Sequence, residues 1–331
     1  MTSPLTPVLT VADLRVAYGA GLVAVDGVSF TLSSGRTLAL VGESGCGKST
    51  IARTILGLHD RSTAIGGSIL VHVGTDTAVE LVGLPAAAWA RVRGELVGYV
   101  AQDPFGASNP VHSVRRHVEE PVRARGRRLR LDEVVDRLTS LGITDAERSC
   151  RDRPHRWSGG MLQRATIAAA TSGTGARTGT ADGRSTRLGP VLVVADEPTS
   201  ALDADRADLT IELLRERATS VLLISHDLSL VARHADDVAV LYAGRIVEWG
   251  TAAAITSAPR HPYTRALIAA TPRPGHGLPT PLEGAPPRLR DIARGCAFAP
   301  RCPHAVATCS EQRPALVDGV ACPVTTSPAS T

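Results

Sequence analysis

At 331 residues the chain exceeds the usual single-domain length, and 43% apolar with 21% charged residues is the balance of a folded globular protein, not of a disordered one. A formal net charge of +4, with only three Trp, three Phe and four Tyr, argues against a base-stacking nucleic-acid surface and against an aromatic membrane belt. No apolar run reaches the roughly eighteen residues of a membrane span, and MTSPLTPVLT lacks the basic and apolar regions of a signal peptide, so the chain reads as cytosolic, with membrane association only through a partner.

In chain order, residues 8–17 (VLTVADLRVA) and 28–32 alternate apolar and polar positions, the pattern of half-buried antiparallel strands. Residues 38–41, 97–101, 191–195 and 221–224 are instead short continuous apolar runs, as in strands buried on both faces of a parallel sheet. Helical stretches between them make the core α/β, and residues 111–141 read as consecutive helices inserted into it. The basic run Arg123, Arg125, Arg127, Arg128 and Arg130 reads as a solvated helix face or turn. Residues 171–190, rich in Gly, Thr and Arg and without apolar periodicity, read as a flexible insertion between a helix and a strand.

Two segments carry chemistry. Gly42, Glu43, Ser44, Gly45, Cys46, Gly47, Lys48, Ser49 and Thr50 follow the apolar run LALV and open a helical stretch, the context that a phosphate-binding loop requires. Glycines let successive backbone N–H groups and a helix N-terminus face phosphate oxygens, Lys48 reaches the β- and γ-phosphates, and Ser49 coordinates Mg²⁺. Cys46 contributes its backbone more than its thiol. Downstream, VLVVADEP ends an apolar strand in Asp196 and Glu197, whose side chains diverge. Asp196 is then placed to hold Mg²⁺ and Glu197 to polarise the attacking water.

Between these segments, Trp157-Ser158-Gly159-Gly160-Met161-Leu162-Gln163-Arg164 opens a helical run. Ser158, Gly159 and Gly160 resemble the signature sequence of ABC ATPases, although Trp157 stands where that family usually has Leu. The other motifs fall in the family's order: Tyr18, Gln102 after a strand, Ser200-Ala201-Leu202-Asp203, and His226 after VLLIS. The resemblance covers residues 8–258. It implies a P-loop NTPase (RecA-like) core with an antiparallel β subdomain and a helical ABC-specific subdomain over about residues 103–165. It also implies that Tyr18 stacks on adenine, that Gln102 contacts Mg²⁺ or the attacking water, that His226 contacts the γ-phosphate, and that Asp203 belongs to the nucleotide-binding set. Two such domains would close around two ATP molecules, each signature facing the other subunit's phosphate loop.

Beyond residue 258 a small C-terminal extension (259–331) begins. His261-Pro262-Tyr263-Thr264-Arg265-Ala266-Leu267 resembles the HPYT segment of oligopeptide, dipeptide and nickel importer ATPases, as do Gln102-Asp103-Pro104-Phe105 and Asn109-Pro110. That resemblance implies a subunit at the cytoplasmic face of the membrane, working with a second, homologous or identical ATPase subunit. Two transmembrane permease subunits and, indirectly, an extracytoplasmic solute-binding protein complete the implied assembly, with no nucleic acid. ABC-type ATPases acting on DNA or ribosomes usually carry coiled-coil insertions or tandem ATPase domains, and neither pattern is present. Cys296, Cys302, Cys309 and Cys322 occur as C-x5-C-x6-C-x12-C. A reducing cytosol disfavours disulfides, leaving a [4Fe–4S] cluster, zinc or unliganded thiols; the spacing lacks C-x2-C knuckles, which favours the cluster. Cys150 reads as a small structural residue.

Overall fold

The computed structural model describes residues 6–19, 21–74, 77–172, 189–200, 202–272, 278–288, 290 and 294–324. Two sheets organise them. The first is antiparallel, in the order β2-β1-β4-β5: β1 (Pro7–Tyr18), β2 (Leu22–Ser33), β4 (Ala64–His72) and β5 (Ala78–Glu80). The second has the order β10-β9-β3-β8-β7-β6, formed by β3 (Thr37–Val41), β6 (Val97–Val100), β7 (Leu192–Asp196), β8 (Ser220–Ile224), β9 (Asp237–Tyr242) and β10 (Arg245–Thr251). From β9 to β6 all neighbours run parallel, and only β10 is antiparallel.

The four apolar runs singled out in the sequence form β3, β6, β7 and β8, and every residue of β3, β7 and β8 is buried. Strands covered on both faces need no polar positions, which is why they lack alternation. The half-exposed β1 and β2 do alternate, and β2 runs wider than the segment read from sequence.

Three apolar clusters hold the layers. One joins β1, β2 and β4 to the central sheet through the helix Lys48–Ile55, using Ile51 and Ile55. A second lies under the helices Val114–Arg123, Leu131–Thr139 and Gly159–Ala170, and includes Trp157 and Cys150, the latter fully buried as a small core residue. The third joins β3 and β9 to the helix Pro262–Ala269 and to Phe298. The expected insertion at 171–190 falls almost wholly on 173–188, outside the described residues; Thr171 and Ser172, which lead into it, are buried.

The third cluster contains a pH-sensitive cap. His261 begins the helix Pro262–Ala269, its Nδ1 accepting the Tyr263 N–H at 3.0 Å, while the buried Glu248 carboxylate accepts the N–H groups of Arg260 and His261 at 2.7 and 3.0 Å. A protonated Nδ1 cannot accept, and burial pushes the imidazole down to about 4. The unfolded chain therefore takes up this proton first, so the contribution is complete above about pH 6.5 and disappears as pH falls toward 4, a loss of about 3 kcal/mol. The urea midpoint should fall over that window, and His261→Asn, which keeps a capping side chain without a titrating ring, should flatten the slope. Equal slopes for both proteins would remove His261 as the cause.

Candidate functional site

The phosphate loop leaves β3 and enters the helix Lys48–Ile55 at Gly47. Glycine is required at both of its ends. Gly42 has φ +149°, and a Cβ there would stand 2.2 Å from the Leu241 carbonyl oxygen; Gly47 has φ +110°, and a Cβ would stand 2.7 Å from that of Ala24. The loop, with Gln102, Glu197 and His226, encloses a cavity of about 380 Å³ lined by Gly42, Ser44, Gly45, Gly47, Lys48, Ser49 and Thr50. Ten positions chosen from sequence thus converge on one cleft at the carboxyl ends of parallel strands, where open α/β sheets bind ligands.

Lys48 is 6% exposed, and its ammonium donates to the carbonyls of Gly42 (2.7 Å) and Glu43 (3.0 Å). It also lies 3.7 Å from the Cys46 sulfur, and burial pushes that thiol up. Cys46 therefore contributes its side chain as packing beneath the loop, not only its backbone.

Asp196 and Glu197 sit at the end of β7. Ser49 donates to Asp196 Oδ1 at 3.3 Å; burial raises the Asp196 carboxyl, the Ser49 bond lowers it, and the Glu197 charge raises it again. Glu197 adopts φ +49°, in the left-handed region that non-glycine residues avoid, and its N–H donates to the Ile224 carbonyl at 2.9 Å. That unusual backbone turns its carboxylate onto Nδ1 of His226, which follows the neighbouring strand β8. The result is a hard-oxygen pair, Ser49 and Asp196, beside a carboxylate–imidazole pair. Oxygen donors of this type suit Mg²⁺.

Other site candidates lie outside the cavity. Tyr18 ends β1, with its hydroxyl 3.4 Å from both Thr50 Oγ1 and His59 Nδ1. Ser158 caps the helix Gly159–Ala170 by accepting the Met161 N–H at 3.3 Å, and Ser158 and Gly159 are exposed. Asp203 caps the helix Ala204–Arg217 by accepting the Arg206 N–H at 3.0 Å and is also exposed. Gln163 binds the signature helix to the carboxylate strand, its Nε2 donating to the Pro198 carbonyl at 3.0 Å.

The four tail cysteines share one neighbourhood, since Cys309 and Cys322 raise both the Cys296 and Cys302 thiols, after burial. They do not form a ligand shell. No group of three or more His, Cys, Asp or Glu among the described residues is placed to hold a metal ion. The segments also meet through backbone, the Cys296 N–H donating to the Cys309 carbonyl at 2.7 Å.

Fold and cleft define a P-loop ATPase. Residues 25–175 match the ABC transporter family, and residues 247–309 match the C-terminal region of oligopeptide/dipeptide transporters. A peptide import ATP-binding protein named from Brucella ovis is 38% identical over 94% of this chain and 93% of its own length. A peptide ABC transporter ATP-binding protein named from Sinorhizobium fredii is 38% identical over 93% and 90%. Among solved structures, a dimeric ATP-binding cassette with ADP and phosphate superposes with a TM-score of 0.59 at 21% identity, over 74% of this chain and 98% of that one. An ATP-binding subunit of an ABC transporter gives 0.57 at 26% identity, over 75% and 91%. The chain belongs to the ABC transporter ATP-binding subunits, and it carries the C-terminal region of the oligopeptide/dipeptide group.

Proposed function

We propose that the chain is the ATP-hydrolysing subunit that energises an ABC importer of oligopeptides or dipeptides. The observation that carries this reading is one polypeptide joining the P-loop cleft to the oligopeptide/dipeptide transporter C-terminal region. Lys48 and the loop N–H groups take the β- and γ-phosphates, and Tyr18, beside Thr50, offers its ring to the adenine. Ser49, Asp196 and Gln102 would hold Mg²⁺, which would neutralise phosphate charge. Glu197 takes the proton of the attacking water, and His226, already on that carboxylate, orients it and meets the γ-phosphate.

Ser158, Gly159 and Gly160 do not line their own cleft, and Ser158 and Gly159 are exposed, so a second ATPase subunit would bring its signature to this one and receive this one in return. Asp203, exposed and capping the helix after the carboxylate strand, belongs to the same nucleotide-binding set. Closure around ATP then shifts the pair toward a state in which contacts exist only with nucleotide present. No helix among the described residues is long and apolar enough to cross a membrane, and the proposed location is the cytoplasmic face, held by two permease subunits. A solute-binding protein outside the membrane would deliver the peptide without touching this chain.

The complete transporter in vesicles should take up peptides in an ATP-dependent way. Uptake of nickel but not peptide would reassign the substrate, and outward movement would reverse the direction. The division of the chain near residue 258 belongs to the same proposal. The [4Fe–4S] cluster expected on Cys296, Cys302, Cys309 and Cys322 does not fit the arrangement described, in which no group of three or more His, Cys, Asp or Glu among the described residues is placed to hold a metal ion; iron and sulfide after anaerobic purification would reinstate it.

A further inference from the structure

Among the described residues, the C-terminal region is hydrogen-bonded to the phosphate loop at Glu43. The Glu43 N–H donates to the Tyr263 hydroxyl at 2.8 Å, from the helix that opens with HPYT. Its carboxylate receives two N–H groups from Arg301, Nη1 to Oε2 at 2.7 Å and Nη2 to Oε1 at 3.1 Å. The Arg301 side chain is 6% exposed and is itself held on several sides. Its Nη1 reaches the Tyr242 hydroxyl at 3.2 Å, its Nε donates to the Glu283 carbonyl at 2.8 Å, and its guanidinium lies 5.9 Å from the centres of the Tyr242 and Phe298 rings. Tyr242, Tyr263 and Phe298 pack edge to face or tilted, with centroids 4.5 to 5.4 Å apart, so the arginine projects from a rigid aromatic block.

This contact leads into the phosphate cradle. Glu43 presents its carbonyl to the Lys48 ammonium, so Arg301, Glu43 and Lys48 form one continuous line of contacts. Glu43 is also the only carboxylate in residues 42–50, standing on a loop built for a polyanion. A two-pronged guanidinium both fixes the orientation of such a group and cancels its charge, which an ammonium does less well.

We propose that Arg301 and Tyr263 are positioning residues of the nucleotide site: they hold Glu43 so that its carbonyl sets Lys48 for the triphosphate, and Arg301 neutralises a carboxylate that would otherwise repel it. The HPYT segment thereby acquires a task inside the ATPase, separate from any contact with permeases. The proposal rests on the P-loop reading, and the test separates the two.

The full chain is titrated with MgATP by calorimetry, and each variant is also melted. Arg301→Gln should bind about tenfold more weakly, because an unpaired Glu43 carboxylate is then left within the phosphate loop. Adding Glu43→Gln to that variant should restore most of the affinity, although one more native contact has been removed. Arg301→Lys should fall between, and Tyr263→Phe should bind about threefold more weakly. Ile255→Ala, which opens the same apolar cluster without touching Glu43 or Arg301, should lower the melting temperature and leave the affinity unchanged. An Arg301→Gln affinity equal to that of the unmodified chain, a double variant no tighter than Arg301→Gln, or an equal loss in Ile255→Ala would each overturn the proposal. Failure of the unmodified chain to bind MgATP would sink the P-loop reading first and the proposal with it.

Discussion

Glu197→Gln should bind MgATP almost as tightly as the unmodified chain and hydrolyse it roughly a thousandfold more slowly, the size expected for loss of a positioned proton acceptor. The amide is isosteric with the carboxylate, so the cavity keeps its volume and Lys48 keeps its partners. What disappears is the ability to accept a proton. Glu197 is suited to that task because its left-handed backbone, anchored through its N–H to the end of β8, aims the side chain into the cleft instead of along the strand. Asp196, one residue earlier, is committed to Ser49 and cannot substitute. Phosphate release by the assembled transporter, measured beside nucleotide binding, checks both halves. Near-normal turnover would move the base to another group, with His226 the first candidate.

Lys48→Ala should have the larger effect on binding, weakening MgATP by about a hundredfold, since one charge-assisted contact to each of two phosphates is lost from a poorly hydrated site. The buried ammonium is hydrogen-bonded to two carbonyls and, among the described residues, paired with no carboxylate within 4 Å, which suits it to an anionic ligand. Removing it relieves a desolvation cost, and the variant's melting temperature should stay close to that of the unmodified chain without nucleotide. The gap should open when MgATP is added, because only the unmodified chain gains ligand stabilisation. Retention of nucleotide-dependent stabilisation in Lys48→Ala would refute the role given to Lys48.

The sequence disclosed those parts of the molecule whose chemistry is local. A phosphate loop needs its glycines, lysine and serine within nine residues, and the buried strands β3, β7 and β8 announce themselves by having no polar alternation at all. β4 leaves little trace because Gly66 and Gly67 interrupt its pattern, and β9 and β10 carry no distinguishing signal although β9 is nearly as apolar as its neighbours. Contacts between distant segments left no local trace. Glu43 and Arg301 are separated by 258 positions, and neither spacing nor periodicity relates them. The cysteine spacing shows the opposite limit: it suggests a metal-holding set, yet no group of three or more His, Cys, Asp or Glu among the described residues is placed to hold a metal ion. Tyr18 falls between these cases: the resemblance implies that it stacks on adenine, and its hydroxyl stands 3.4 Å from Thr50 Oγ1 and from His59 Nδ1.

The way the tail is joined to the sheet has an evolutionary consequence. Val320 bridges to Glu248, the Gly319 carbonyl accepts the Trp249 N–H, and Tyr263 and Phe298 complete the apolar cluster over β9. Such a segment is not a cassette that recombination can append to an arbitrary ATPase, because a recipient would need a matching apolar strand surface and an acidic residue at the second position of its phosphate loop. Gain or loss of the tail should therefore track changes at Glu43, Tyr242 and Glu248, so that these dispersed positions are inherited together as one unit.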